Sequence, residues 1–434
     1  MSSWKRLATL GGLTGRVGSS YVTARIKRAL GGPEGPDDLA SLNLRNAEQI
    51  ADTLSRMKGA AMKLGQSLAV AAGTLDLPPE IAGTLSRLHK DAEPVPFHQV
   101  RADVEAELER PLPQVFATFD ERPLGTASLG QAHAATLLDG TSVVVKLLHR
   151  GVASAVDADL LALKAVLLGS RALRRDRSEV DAAFEEIRAR LNEELDYLQE
   201  AVNLQQFHEA LGDDPRVRIP RLHHPWCTER VLVMDHLPGR PIEAFVADAT
   251  REARQRAGST LATLYYHQLF DLRMLHADPH PGNYLFEDDG RVGLLDFGCV
   301  KRFDRYWIGT YARAALAGLD GDREGLLAAC YDLGAWNGAD LTDAELLWAF
   351  ADGMCRGFRV GELELGAGEQ LMEELRPVLQ RFVSRPSVRI PKDVLFAHRS
   401  LAGLYGMHRR LGTRADFGAI LREHAQRAVA NAST

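Results

Sequence analysis

The stretch "HADPHPGNYLFEDDGRVGLLDFG" (276–298) constrains this chain most. Pro279, Pro281 and Gly282 stand between Asp278 and Asn283. Proline fixes φ and lacks an N–H, so these residues cannot continue a helix or a central strand. They form a rigid loop that presents an acid and an amide. Behind it, "YLF" and "VGLL" flank Asp288–Gly290, which is hairpin composition. The second run ends at Asp296, thirteen residues after Asn283. The fold must therefore bring two loop ends together, one with Asp278 and Asn283, the other with Asp296. Their oxygens suit a hard cation such as Mg²⁺.

An acid, an amide five residues on and a second acid in D-F-G is the metal-phosphate arrangement of protein-kinase-like folds. In that reading Asp278 is the base, and Asn283 and Asp296 bind Mg²⁺ beside ATP. The arrangement predicts an upstream strand lysine and a helix glutamate. "VVVKLL" (143–148) supplies Lys146 in an apolar strand, where a lysine is costly unless paired. Val180, Phe184, Ile187, Leu191, Leu195, Leu198 and Val202 recur at steps of three and four. That stripe predicts one helix over 179–211. On such a helix Asp196 and Glu200 share a face, and like charges there destabilise it by about 0.2–0.5 kcal/mol. A cation beside them, Lys146 or Mg²⁺, reverses the sign.

The loop ahead of Lys146, "PLGTASLGQAHA" (123–134), is not G-x-G-x-x-G. Gly125 and Gly130 match G-x4-G, but Gln131 and Ala132 stand where a P-loop has Lys and Ser or Thr. Spacing alone assigns this loop nothing. "RVLVMDHLPG" (230–239) ends where an adenine hinge would lie, with Met234, Asp235 and Leu237 offering backbone groups.

Taken in order, "KLGQ" (63–66), "ASLGQAH" (127–133), "VVVK" (143–146), "EELDYLQEAVN" (193–203), "HADPHPGN" (276–283) and "LLDFG" (294–298) resemble the UbiB/AarF/ADCK family of atypical kinases. The resemblance runs from about residue 45 to at least 335. It implies an α+β, bilobal protein-kinase-like fold with an N-terminal helical extension packed over the active site. Lys63, Gly65 and Gln66 would lie on that lid, and Glu194 and Asp196 would form an E-x-D pair. Glu200 would partner Lys146, Asp278 would be the catalytic-loop acid, and Asn283 and Asp296 would bind Mg²⁺. Gly125, Thr126, Ala127 and Ser128 correspond to the family's alanine-rich nucleotide loop. Gly125 and Thr126 depart from its alanines: one loosens the backbone and the other adds a hydroxyl. The family's nucleotide preference is therefore not carried over. The family implies a role in isoprenoid quinone (coenzyme Q-type) biosynthesis, as an ATPase acting on lipid or on a biosynthetic protein complex.

The layout read from texture is a basic segment at 1–40, a helical extension at 41–110, a small lobe with a long helical insertion at 111–236, and a helical lobe at 237–434. A Gly/Pro break is expected over 31–38. Only "CVKRFDRYW" separates D-F-G from renewed helical texture, with no A-P-E, which argues against a conventional peptide-docking protein kinase. With 52 basic and 58 acidic side chains the net charge is -6, which excludes a global nucleic-acid footprint. Residues 1–33 nevertheless hold six basic residues and no acid, fitting a frayed terminus or a peripheral contact with an anionic surface, either a membrane or a partner. No run of about 18 apolar residues occurs, so no transmembrane helix is expected. Cys227, Cys299, Cys330 and Cys355 form no C-x-x-C pair, as in a reducing, cytoplasmic compartment. Cys299 follows D-F-G and reads as packing rather than as a reactive thiol. His276 and His280 read as loop-orienting residues rather than zinc ligands. Two alternatives stay open: a non-catalytic nucleotide-gated scaffold or lipid-binding module, and a small-molecule phosphotransferase.

Overall fold

The computed structural model describes residues 36–57, 94–126, 129–169, 177–338, 340–364 and 391–432, with isolated residues within 12–23, 64–68, 83–84 and 377–381. The basic segment 1–33 thus lies outside the described residues except at a few positions. The chain divides into two units: Met1–Ala201 with Leu222–His236, and Val202–Arg221 with Leu237–Thr434.

In the first unit, helix α1 (Pro36–Met57) starts inside the expected Gly/Pro break. Proline is tolerated in a first helical turn, where its missing N–H would have no partner anyway. Helix α2 (Phe97–Leu108) precedes strands β1 (Phe116–Thr126), β2 (Gly130–Leu137) and β3 (Ser142–Leu148). Helices α3 (Val152–Gly169) and α4 (Arg177–Glu194) follow, and β5 (Val231–Asp235) completes the unit; α5 (Tyr197–Leu211) begins in it, while its residues from Val202 on and β4 (Val217–Arg218) belong to the second. The antiparallel sheet runs β1-β2-β3-β5.

Alternation along β3 separates two cores. Val143, Val145 and Leu147 pack with Val100, Val104, Phe116, Val231 and Val233 on the α2 face. Leu148 and Leu232 pack on the other face with Leu160, Leu163, Phe184, Leu191, Leu64 and Leu68. Lys146 pairs with Ala132 and Leu232 in the register, so it lies mid-sheet.

The single helix expected over 179–211 is two. It breaks at Leu195–Asp196, between α4 and α5. Asp196 Oδ1 accepts the N–H of Gln199 at 2.8 Å, which makes Asp196 the N-cap of α5. Its exposed carboxylate therefore caps the helix rather than sharing a helical face with Glu200.

The second unit adds helices α6 (Ile242–Asp248) and α7 (Arg251–Tyr266), and α7 runs into one π-helical turn, His267–Asp271. Strands β6 (Met274–His276), β7 (Tyr284–Phe286), β8 (Val292–Leu294) and β9 (Val300–Arg302) follow. Helices α8 (Arg305–Asp320), α9 (Arg323–Asp332) and α10 (Leu341–Arg356), strand β10 (Leu363–Glu364), helix α11 (Lys392–Leu411), strand β11 (Arg414–Ala415) and helix α12 (Phe417–Ala432) complete it. The sheets are β4-β8-β7, β6-β9 and β10-β11. The expected hairpin is present: β7 pairs with β8 antiparallel, and Gly290 turns it at φ 89, a left-handed value that favours glycine.

None of the four cysteines is in a disulfide, and burial pushes the thiols of Cys330 and Cys355 up to about 11. Among the described residues no helix is long and apolar enough to cross a membrane.

Candidate functional site

In the first unit, Lys146 Nζ lies 2.5 Å from Glu200 Oε1, with the two side chains 15% and 4% exposed. The sheet and the helix each contribute one partner: β3 carries Lys146, and α5 carries Glu200 one turn past its Asp196 cap. The Tyr197 ring covers the ammonium, 5.5 Å from Nζ to the ring centroid.

Strand β2 begins close to the ring over this pair: a Cβ at Gly130 would lie 3.2 Å from Tyr197 Oη. Gly125 and Thr126 end β1 opposite Ala132 and Gln131. A Cβ at Gly125 would meet nothing within 4 Å. Ala127 and Ser128 lie outside the described residues.

Gln131 has a different role from the one a P-loop would give that position, and it shares it with His133. Both are buried. Gln131 Oε1 accepts the N–H of Val95 at 2.9 Å, and its Nε2 lies 2.7 Å from His133 Nε2. His133 Nδ1 donates to Asp120 C=O at 2.8 Å. Burial lowers the pKa of His133, so the ring is neutral and Nε2 accepts from Gln131. The network ties the segment before α2 to the sheet.

At the expected hinge, Met234 pairs with Val144 and bridges Leu222, and Asp235 Oδ1 lies 2.9 Å from His223 Nε2. The ladder closes where His236 N–H donates to Ser142 C=O at 3.0 Å. Leu237 opens the second stretch of the second unit, Leu237–Thr434.

In the second unit, the loop after β6 brings Asp278 and Asn283 together. Asn283 Nδ2 donates to Asp278 Oδ2 at 2.8 Å and to its C=O at 3.2 Å. That leaves Oδ1 as the amide atom not used in this contact. His280 Nδ1 accepts the N–H of Gly282 at 3.1 Å and caps the short turn Pro281–Asn283.

Two contacts join this loop to D-F-G. Leu295 N–H donates to Asn283 C=O at 3.0 Å, and His276 Nε2 donates to Asp296 C=O. Asp296 Oδ1 accepts from Gly298 N–H at 2.9 Å. His276 N–H in turn donates to Oε1 of buried Gln268, on the π turn, at 2.9 Å. Burial lowers the pKa of His276 against the raising effect of Asp296 and Asp278, so the ring is neutral. Its Nδ1 is buried with no hydrogen-bond partner among the described residues, which costs about 1–3 kcal/mol.

The residues that hold D-F-G from behind were not singled out from the sequence. Asn203 Nδ2 donates to Phe297 C=O at 2.8 Å, and Asn203 Oδ1 accepts from Arg302 Nη2 at 2.8 Å. Phe297 is fully buried, with ring centroids 5.1 Å from Phe207 and 5.7 Å from His276. An asparagine one turn after Glu200 was the available signal. Glu200 belongs to the first unit and Asn203 to the second, although one helix carries both.

A second cluster has ligand chemistry. His267 Nδ1 and His424 Nδ1 lie 2.7 and 2.5 Å from Asp271 Oδ2. Arg427 donates to both carboxylate oxygens at 3.0 Å. Its guanidinium stands where a metal would compete, so the cluster reads as a clamp between α12 and the π turn.

Of the expected lid residues, Gly65 is helical and buried, and Lys63 and Gln66 lie outside the described residues. Glu194 ends α4 half-buried.

Comparison with known proteins gives a family and a fold. A model of the ABC1 atypical kinase-like domain matches residues 87–330. The rat mitochondrial atypical kinase COQ8B is 31% identical over 92% of this chain and 76% of its own. The yeast mitochondrial atypical kinase COQ8 is 26% identical over 96% of this chain and 84% of its own. The nematode atypical kinase coq-8 is 26% identical over 96% of this chain, which spans 56% of that longer protein. Among solved structures, the Mycobacterium tuberculosis protein Rv3197 in complex with erythromycin superposes with a TM-score of 0.60. It is 24% identical, over 89% of this chain and 97% of that one, a likeness of fold alone.

Proposed function

The chain belongs to the UbiB/AarF/ADCK family of atypical kinases, and on that premise we propose an ATP-binding, Mg²⁺-dependent kinase or ATPase that supports isoprenoid quinone biosynthesis. The observation that carries this reading is the buried Lys146–Glu200 pair. Burying two charges is often no better for stability than an apolar pair of the same volume. A preformed ammonium, held by Glu200 in the middle of a sheet, has its use as a phosphate-binding charge.

In the proposed mechanism Lys146 binds phosphate oxygens and Glu200 orients it. Asp278, steadied by Asn283 Nδ2, takes the proton of the attacking water or hydroxyl. The donor set fits Mg²⁺: Asp296 and Asn283 Oδ1 are hard oxygen ligands, and the amide nitrogen is turned to Asp278. Those two residues would hold the ion, which when bound neutralises charge developing on the transferred phosphoryl group. By family correspondence, Gly125–Ser128 cover the phosphates, and Met234, Asp235 and Leu237 face the base. Lys63, Gly65 and Gln66 belong to the lid, and Glu194 and Asp196 form the E-x-D pair. Residues 41–110 would be the lid-bearing extension, 111–236 the small lobe and 237–434 the large one. The partners are a lipid or quinone precursor and a biosynthetic complex, reached by peripheral contact of the basic segment 1–33 with an anionic membrane.

The test is phosphate release from ATP by the purified protein, with and without anionic vesicles and a quinone-precursor analogue. Mg²⁺-dependent release that Asp296→Asn abolishes is the expected result. Unchanged release in that variant removes the metal role. A nucleotide-induced rise in melting temperature with no turnover under any condition replaces the enzyme by a nucleotide-gated scaffold.

A further inference from the structure

We infer that Gly403 of α11 is a positioning residue for the catalytic loop: its missing side chain makes room for the Pro279 ring, and that contact sets where Asp278 stands. The inference rests on the reading of Asp278 as the catalytic-loop acid. A Cβ built at Gly403 would overlap Pro279 Cγ and lie 2.7 Å from Pro279 Cβ. Real Cβ atoms do not approach so closely, so either the helix or the loop would have to move.

The loop is the part that yields. The proline ring is fused to its own backbone and cannot rotate away, and it restricts the residue before it, Asp278. The helix is held firmly. Ala397, Leu404, Met407 and Leu411 of α11 are buried. Tyr265 Oη donates to Ala397 C=O at 2.9 Å, and Tyr311 Oη lies 3.1 Å from His398 Nε2. Asp393, in the first turn of α11, pairs with Lys301 at 2.7 Å, and the Lys301 ammonium lies over Phe396 at 5.4 Å. Lys301 is on β9, which leaves D-F-G and pairs with β6, which enters the catalytic loop. One helix thus braces both loop ends.

Helix propensity points the same way. Glycine inside a helix is less favourable than alanine by about 1 kcal/mol, so its place in α11 is a matter of space. Gly406 on the same helix meets nothing within 4 Å of a built Cβ and supplies the matched control. Helix α11 also lies beyond residues 87–330, the span of the family model.

The experiment compares Gly403→Ala with Gly406→Ala, each alone and with Pro279→Gly. It reads ATP turnover and amide exchange of a peptide covering 276–286. Gly403→Ala should lower kcat by about 10- to 100-fold with KM for ATP within about twofold. It should speed exchange in that peptide by about tenfold and leave the melting temperature no lower than wild type. Gly406→Ala should change neither. With Pro279→Gly in place, Gly403→Ala should have no further effect, the signature of direct coupling. Equal effects in both backgrounds, or unchanged exchange in Gly403→Ala, overturn the inference. If wild type releases no phosphate, the enzymatic reading fails, and the exchange cycle alone decides the contact.

Discussion

Replacing Glu200 by glutamine tests the pair at the centre of the first unit. The change keeps the volume and removes one charge, 2.5 Å from Lys146 Nζ. At an effective dielectric of about 20, two unit charges at that distance attract by about 7 kcal/mol. Desolvation of each ion, several kcal/mol, offsets much of this. What survives is the penalty for breaking a buried pair, about 3–5 kcal/mol. With side-chain exposures of 15% and 4%, little is lost to solvent screening. Tyr197 remains over the ammonium and softens the loss by about 0.5–1 kcal/mol, which leaves about 3 kcal/mol. For a unit of this size that is a fall of about 6–12 °C in melting temperature. Calorimetry and urea unfolding of Glu200→Gln, Lys146→Met and the double variant measure it. The double variant should be more stable than the sum of the singles predicts, by about 2 kcal/mol. A Glu200→Gln protein that melts with wild type, or a strictly additive double variant, would refute the reasoning.

Three further outcomes follow from the same kind of argument. Burial alone would raise the pKa of Asp271, but hydrogen bonds from His267, His424 and Arg427 outweigh it and hold the carboxyl far below its usual range. Its contribution is therefore present above the unfolded carboxylate value of about 3.9 and is lost as pH falls below it. Asp271→Asn should cost about 2 kcal/mol at neutral pH, less than a fully buried pair because Arg427 is partly exposed, and should flatten the acid limb of the stability profile. Burial lowers His408 to about 4, with its ring against Phe417 and its Nδ1 3.2 Å from Thr413 Oγ1. The unfolded state binds the proton first, so stability should decline as pH falls from about 6.5 towards 4, by about 2 kcal/mol between pH 7 and 5. Denaturant midpoints should lose that slope in His408→Gln. Gly125→Ala has open space and no left-handed φ, so it should raise stability by about 0.4–1 kcal/mol, read from the melting temperature.

The loop at 276–283, the hairpin behind it and D-F-G were legible because proline, glycine and turn residues act on their own few neighbours. So was β3 with its lysine, since a β-branched apolar run behind a turn is a local pattern. The break between α4 and α5 was hidden by apolar residues that keep helical spacing across it. Its signal was present in "DYLQ" (196–199), an acid followed three residues later by glutamine, the form of a capping box. The start of α1 at Pro36 was misjudged because proline breaks a helix interior but not its first turn. Gln131 looked like a failed P-loop residue because its partner, Val95, comes from a segment 36 residues earlier.

The amino-acid sequence by itself named the candidate residues, Asp278, Asn283, Asp296 and Lys146, and the rigid loop and hairpin that carry three of them. Those are properties of residue type and short spacing. Only the tertiary structure decided the supports. Asn203 on Phe297, Gln268 on His276 and Gly403 against Pro279 join residues from separate segments, and a side chain's hydrogen-bonding capacity or a glycine's missing Cβ names no partner until packing brings one within reach.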